Sequence, residues 1–424
     1  MSYERLTMAN VYEAEGTNGR TAVGSFSGCG GSSTGLKLAG WDVPYVIEFV
    51  DAAADTYAAN YPETVVDRRD IRKVDPQEIL DRLGLKVGEL DLYEGSPPCA
   101  SFSSAGMRER GWGTEKKYSD THQATDDLFE HYCRMVEGLR PKAFIAENVP
   151  GMEMGDAKAY LHAAGNRLRE LGYRVHAKVV DATGFGVPQR RKRLIFIGFR
   201  EDLGIEPEVP TYDAELEGKP GGRPTLRHAL ATVPADDPDH APFIEESSME
   251  GKAVGRTWHA LKKGGDAKEV CARCNEFLGQ HERREEFVGA VKKQKAEEAP
   301  LGLFDMEPEG GRKRPYFVCA DGERAIEVKD YFLLVIPDPD EPCPTLTATG
   351  AQVGAASVTH PFECRKFTPA ECKAIGGFPV DFKLTGTREQ RYERMGRTVV
   401  PPLYATMGRY IARCLDEAER AEAA

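Results

Sequence analysis

No stretch of the 424 residues approaches the roughly 18 consecutive apolar residues that a membrane span needs. The longest candidate run, Tyr331 to Ile336, has the length of a strand. Residues 1–20 are polar and acidic and carry no apolar core of a secretory signal. Internal repeats and low-complexity tracts are absent as well, which removes solenoids and collagen-like chains. Ten cysteines in this length are too few for a disulfide scaffold, and without an export signal they are expected as reduced thiols in a cytoplasm. Basic residues are in deficit, 56 against 68 acidic, for a net charge of −12. That balance argues against indiscriminate nucleic-acid binding but leaves local basic surface open. Zinc spacing is incomplete: Cys271-x-x-Cys274 is followed by His281 and, far downstream, Cys319, with no second cysteine pair, so no metal is assigned.

What is present is an ordinary globular mix, 41% hydrophobic and 29% charged, long enough for two or three domains. Residues 21–26 read as a strand that ends in the glycine-rich turn Gly28-Cys29-Gly30-Gly31, and Ser32 to Ala39 can start a helix. A second strand follows at Val43 to Val50, then a helix from Ala52 to Asn60. Further strands are expected at Leu90–Tyr93, Ala143–Ala146, Val175–Val180 and Leu194–Gly198, with helices over Asp126–Leu139 and Ala157–Leu171. This alternation is the grammar of a doubly wound α/β domain over residues 1–200. After Arg200 the chain turns Pro-, Gly- and charge-rich, which predicts a less regular second domain; strand-like pieces return at 316–319 and 329–336, and Pro402 to Glu417 reads as a closing helix.

Four local signals carry chemistry. The turn Phe26-Ser27-Gly28-Cys29-Gly30-Gly31 lets backbone approach a ligand at a helix start. Glu48, about 20 residues after the glycines, can accept hydrogen bonds from both ribose hydroxyls. Position 33 is Ser, so the full dinucleotide pattern is broken, and an adenosine-containing ligand is favoured over a dinucleotide. Ser96-Pro97-Pro98-Cys99 fixes the backbone just before a thiol, which suits a presented nucleophile better than a core cysteine. Glu147 sits at the end of a strand, where open α/β sheets bind ligands, although a plain surface turn has the same sequence pattern. Arg190-Arg191-Lys192-Arg193 before the next strand reads as a solvated or phosphate-facing run.

In this order the signals resemble the DNA (cytosine-5) methyltransferase family, over nearly the whole chain. Phe26, Ser27, Gly28, Cys29, Gly30 and Gly31 look like its first cofactor motif, Glu48 with Phe49 its ribose-binding strand end, and Asp70-Ile71 its adenine-contact pair. Ser96 to Cys99, with Pro98 beside the cofactor and Ser103 by the target base, matches its catalytic loop. Asp127-Leu128-Phe129 resembles the fifth motif, Glu147-Asn148-Val149 the sixth, Gln189-x-Arg191-x-Arg193 the eighth, Arg365 to Glu371 with Gly377-Phe378-Pro379 the ninth, and Gly396-Arg397-Thr398-Val399-Val400 the tenth.

The resemblance implies a doubly wound, Rossmann-like S-adenosylmethionine-dependent domain with a smaller irregular target recognition domain. The corresponding boundaries are 1–200 for catalysis and cofactor, 201–385 for target recognition including the ninth motif, and 386–424 for a segment returning to the catalytic domain. It further implies flipping of cytosine from double-stranded DNA. The Cys99 thiolate adds to C6, and Glu147 shares or holds a proton at N3. Arg193 reaches the base carbonyl or a phosphate and Arg191 a phosphate, while Asn148 and Gln189 lie near the base. The glycine-bearing loop after Cys99, with Arg108, Arg110, Lys116 and Lys117, is expected to close over that base.

Two departures stand out. Ala100-Ser101 replace the family's usual residues after the nucleophile. In the tenth motif Arg397 stands where the family has Asn, a permanent positive charge that suggests carboxy-S-adenosylmethionine as an alternative donor and carboxymethyl transfer as an alternative reaction. From another class, a catalytically inactive DNA-binding relative would keep the fold, and Arg397 blocking the cofactor pocket is its support. An RNA-directed enzyme of the same fold is disfavoured by the large insert. The expected setting is the cytoplasm and nucleoid of a bacterial or phage-infected cell, with a cognate restriction endonuclease as a companion in the same system and a monomer sufficient for base flipping.

Overall fold

The computed structural model describes residues 6–97, 127–150, 165–213, 224–252, 258–259, 334–353 and 357–423, and the backbone of 116–118, 121–123, 282–288 and 312–318. It divides into a larger unit, residues 1–248, 337–353 and 366–424, and a smaller one, residues 249–336 and 354–365. The segments 201–248 and 366–385 therefore belong structurally with the sheet-bearing unit.

The larger unit is built on seven strands, β1 Thr21–Ser25, β2 Asp42–Ile47, β3 Val65–Asp67, β4 Leu92–Gly95, β5 Ala143–Asn148, β6 Tyr173–Asp181 and β7 Lys192–Arg200. Their order is β3-β2-β1-β4-β5-β7-β6. The first five are parallel, and β7 runs antiparallel to both neighbours. Sequence order reverses between β1 and β4, so the loops leaving those two strands open a crevice at the carboxyl edge.

Strand alternation sorts the side chains onto two faces. Val23, Tyr93, Phe144, Ala146, Leu194 and Phe196 face a core completed by the helices α4 Pro76–Leu83 and α5 Leu128–Leu139. The intervening positions face α2 Gly31–Leu38, as the hydrogen bond from Ser32 on α2 to Glu94 on β4 shows. The remaining helices include α1 Met8–Ala14, α3 Asp51–Asn60, α6 Leu226–Ala231, α7 Pro369–Ile375, α8 Arg388–Arg397 and α9 Pro401–Ala423. Thr368 and Glu371 form a reciprocal capping box with Pro369 in the first turn, so part of the ninth motif is a helix start.

The long α9 returns the chain to the first strand's neighbourhood. Its Gly408 carbonyl accepts from Trp41 Nε1 at 3.1 Å, and its Asp416 and Glu419 pair with Arg20 at 2.5 and 2.7 Å. The elements expected up to residue 200 and the closing helix are present with ends shifted by a few residues: the helix expected at 157–171 is helical from 165 on, its earlier part being outside the described residues, and of the strand expected at 329–336 only a bridge at Val335 is seen, residues 329–333 lying outside the described residues. The smaller unit contains an antiparallel pair, Glu282–Val288 with Arg312–Val318, and a bridge between Val335 and Val358. No helix among the described residues is long and apolar enough to cross a membrane.

Candidate active site

The first turn is shaped by backbone conformations that most side chains avoid. Phe26, Gly28 and Gly30 all take positive φ, 53°, 54° and 97°. Phe26 is the unusual member, a bulky residue in a left-handed conformation at the strand end. Gly31 is required for a different reason: a Cβ there would stand 2.1 Å from the Val399 carbonyl and 2.4 Å from Thr398 Oγ1. The absent side chain lets the tenth motif press against the first. Cys29 is buried between them, its Sγ 3.9 Å from Thr398 Oγ1. Burial pushes its thiol up to about 11, which makes it an inert core thiol rather than a nucleophile.

Glu48, just past the end of β2, accepts from the Gly28 amide at 2.7 Å and the Val50 amide at 2.8 Å, one bond to each oxygen. Burial raises its carboxyl while those amides oppose the rise. A carboxylate has about four lone-pair sites, so two held amides leave room for two ribose hydroxyls. Ser27 Oγ, next to this turn, is buried without a partner among the described residues, as expected where a polar ligand or water completes the bonding. The turn, Glu48 and Thr398-Val399 thus fit an adenosyl-methionine-shaped ligand. Phe49 is half-buried beside them. Asp70 caps a 3₁₀ turn through the Arg72 amide and pairs with the Arg72 guanidinium at 2.9 Å, while Ile71 and Leu128 are buried in the core.

At the end of β5, Glu147 Oε1 lies 2.5 Å from Arg193 Nε, both nearly buried. The register explains the meeting: Ile195 sits opposite Glu147, so Arg193, two residues earlier on β7, is its same-face diagonal neighbour. Asn148 donates to the Pro97 carbonyl at 3.1 Å and so ties β5 to the segment that leads into Cys99. Cys99, Pro98 and Ser103 lie outside the described residues, as do Arg108, Arg110, Cys271, Cys274 and His281, and Lys116 and Lys117 are described in backbone alone.

Arg191 requires a correction. Expected at a phosphate, it is about 1% exposed, and its guanidinium donates to the carbonyls of Leu346, Gly396 and Thr398 at 3.1, 3.0 and 2.7 Å. Its neighbour Gln189 is likewise buried and accepts from the Leu346 amide at 3.4 Å, instead of facing a base. Arg191 holds the tenth motif in place, and Gln189 braces its guanidinium, accepting from it at 3.4 Å. The signal was available: in a strand-like run, Arg190 and Lys192 point out and Arg191 and Arg193 point in.

Arg397 differs from expectation too. Its guanidinium pairs with Glu393, one turn earlier on α8, at 2.8 Å from Nη2, and is half exposed. That i,i+4 ion pair satisfies the charge locally and gives no separate ground for a carboxylated donor or a blocked pocket.

One residue was not anticipated. Glu94 on β4 is fully buried, its side chain accepts from Ser32 Oγ at 2.9 Å, and its second carboxyl oxygen has no partner among the described residues. It shares a sheet face with Glu147. Burial pushes its carboxyl up to about 8, with the Ser32 hydroxyl opposing and the Glu147 charge adding to the rise.

A seven-stranded sheet of this order, with a glycine-rich first turn and an acid ending the second strand, defines the Rossmann-like class of methyltransferases. Residues 22–413 match the family described as C-5 cytosine-specific DNA methylase, and the chain belongs to that family. It is similar to the type II methyltransferase M.DdeI of Desulfomicrobium norvegicum, 26% identical over 400 residues, spanning 90% of this chain and 85% of that one. It is also 28% identical over 403 residues to M.SacI of Streptomyces achromogenes, covering 91% and 86% of the two chains. A solved prophage-encoded DNA modification methyltransferase from E. coli shares the fold, with a TM-score of 0.56 at 21% identity over 95% of this chain and 99% of the other. The protein is a DNA (cytosine-5) methyltransferase.

Proposed function

We propose that Cys99, Glu147 and Arg193 carry the reaction on an extrahelical cytosine, with unmodified S-adenosylmethionine as the donor. The observation that supports this reading best is the Arg193–Glu147 pair at the carboxyl edge of the sheet. Carbon 5 of cytosine is a weak nucleophile, and thiolate addition at carbon 6 makes it enamine-like. Cys99 supplies that thiolate from the loop anchored at Pro97 by Asn148. Glu147 holds a proton at N3 as charge develops there, and Arg193 fixes the orientation of the Glu147 carboxyl and is placed to bind the O2 carbonyl. The cofactor, when bound between the Gly28–Gly31 turn, Glu48 and Thr398-Val399, supplies an electrophilic methyl. Loss of the C5 proton then expels Cys99. The smaller unit would read the DNA sequence, and the similarity to type II methyltransferases supports a companion endonuclease in the same system.

Nucleoside mass spectrometry of duplex DNA treated with the purified enzyme tests the reading. The expected product is 5-methylcytosine, absent with Cys99→Ser and reduced about a hundredfold or more with Glu147→Gln, while both variants still bind S-adenosylmethionine. Offered the carboxylated donor in competition, Arg397→Asn and the parent enzyme should show the same preference for methyl transfer. Methylation surviving in Cys99→Ser would overturn the assignment of the nucleophile.

A further inference from the structure

We propose that Glu250, His259 and Cys364 form a zinc site inside the smaller unit. Each offers one ligand atom, and these atoms all lie within 4.8 Å of one another. His259 Nε2 is 3.0 and 3.1 Å from the two Glu250 oxygens, and the Cys364 thiol is hydrogen-bonded to the same carboxylate. Glu250 and His259 come from one short segment and Cys364 from a distant one, and the backbone holds the two segments together: the Met249 amide, next to Glu250, donates to the Cys364 carbonyl at 2.9 Å. His259 is set by its buried neighbour Trp258, whose ring meets the imidazole edge-on at 5.2 Å. The nearby His360 ring is already accepting from the Phe362 and Glu363 amides and is not counted.

A sulfur, a nitrogen and an oxygen donor exclude magnesium and calcium, which take oxygen sets, and suit zinc. Tetrahedral zinc would bring ligand atoms to about 3.5 Å from one another, so the set must tighten by roughly 1 Å. Glu250 and His259 are exposed enough to make that adjustment, while Cys364 is the fixed, buried ligand. An ion pair between Glu250 and His259 would need no thiol beside it. The sequence also carries Cys271-x-x-Cys274 in this unit, and the site as proposed rests on the three named residues alone. Zinc here would staple residues 250–259 to residue 364 in a unit whose described part has little regular structure, so its binding energy would stabilise the fold.

Metal analysis of the full chain, purified without chelator and incubated with zinc, should find stoichiometric zinc that falls away in His259→Ala and Cys364→Ser. Cobalt(II) exchanged into the unmodified chain should give a thiolate charge-transfer band, so the site stays testable if a variant misfolds. Binding of S-adenosylmethionine reports that the larger unit of each variant is intact. Zinc content unchanged in both variants, or no zinc and no cobalt–thiolate band in the parent chain, would overturn the site.

Discussion

Arg191 shows how much one side chain can hold in place. A buried guanidinium that donates to three carbonyls on two separate segments acts as a clamp, and the loss of its bonds leaves those carbonyls dry. Arg191→Ala should destabilise the enzyme by on the order of 3 kcal/mol, read as a lower denaturant midpoint, and weaken cofactor binding through Thr398. An unchanged midpoint with a shallower salt dependence of DNA binding would restore the phosphate role.

Glu94 makes a pH prediction with a definite sign. Its folded-state carboxyl sits at about 8, above the ordinary value near 4.5, so between those pH values the native state keeps a proton that the unfolded chain has lost. Stability contributed by the neutral acid is therefore complete below about pH 4.5 and falls as pH rises to about 8. Glu94→Gln should be more stable than the parent at pH 8, by on the order of 2–4 kcal/mol from denaturant unfolding, and the gap should close at pH 5. A gap that is the same at both pH values would mean that Glu94 is not protonated in the fold.

At the scale of elements, the seam between the first turn and the tenth motif depends on what Gly31 omits. A Cβ there would collide with the Val399 backbone carbonyl as well as with the Thr398 hydroxyl. Gly31→Ala should raise the dissociation constant for S-adenosylmethionine about tenfold or more and also lower the melting temperature, by calorimetry and thermal denaturation respectively. Gly28, whose missing Cβ would meet nothing, should act only through its positive φ and cost less. Much of this element was legible in sequence: a strand, then glycines, then a helix, then an acid some 20 residues on follow from the spacing that phosphate and ribose recognition demand. Glu94 was not legible, because an acid inside an apolar strand gives no periodic signal until the neighbouring helix supplies Ser32. Arg191 was misread because four basic residues in a row look solvated, although period-2 alternation sends every second one inward. Arg397 looked like a cofactor residue by motif position, but helical spacing to Glu393 decided its partner.

For the larger unit as a whole, the long α9 closes against the start of the sheet. α9 packs along α2, and Arg20 ahead of β1 is buried against Asp416 and Glu419. Removing residues 401–423 should leave Trp41 and Leu36 uncovered, and the product should lack a cooperative thermal transition and bind no cofactor. A truncated chain with a sharp transition would show that the sheet closes without α9.

That closure has a consequence for how the enzyme is made. The glycine-rich turn proposed to hold the cofactor lies near residue 30, but Thr398 and Val399, which press against it, are synthesised long after it. A ribosome-bound chain therefore cannot complete its donor pocket early, however well its first strands have paired. Products released before residue 399 should be inert towards DNA rather than partly active, so a cell's genome meets this activity only from chains that already carry the tenth motif.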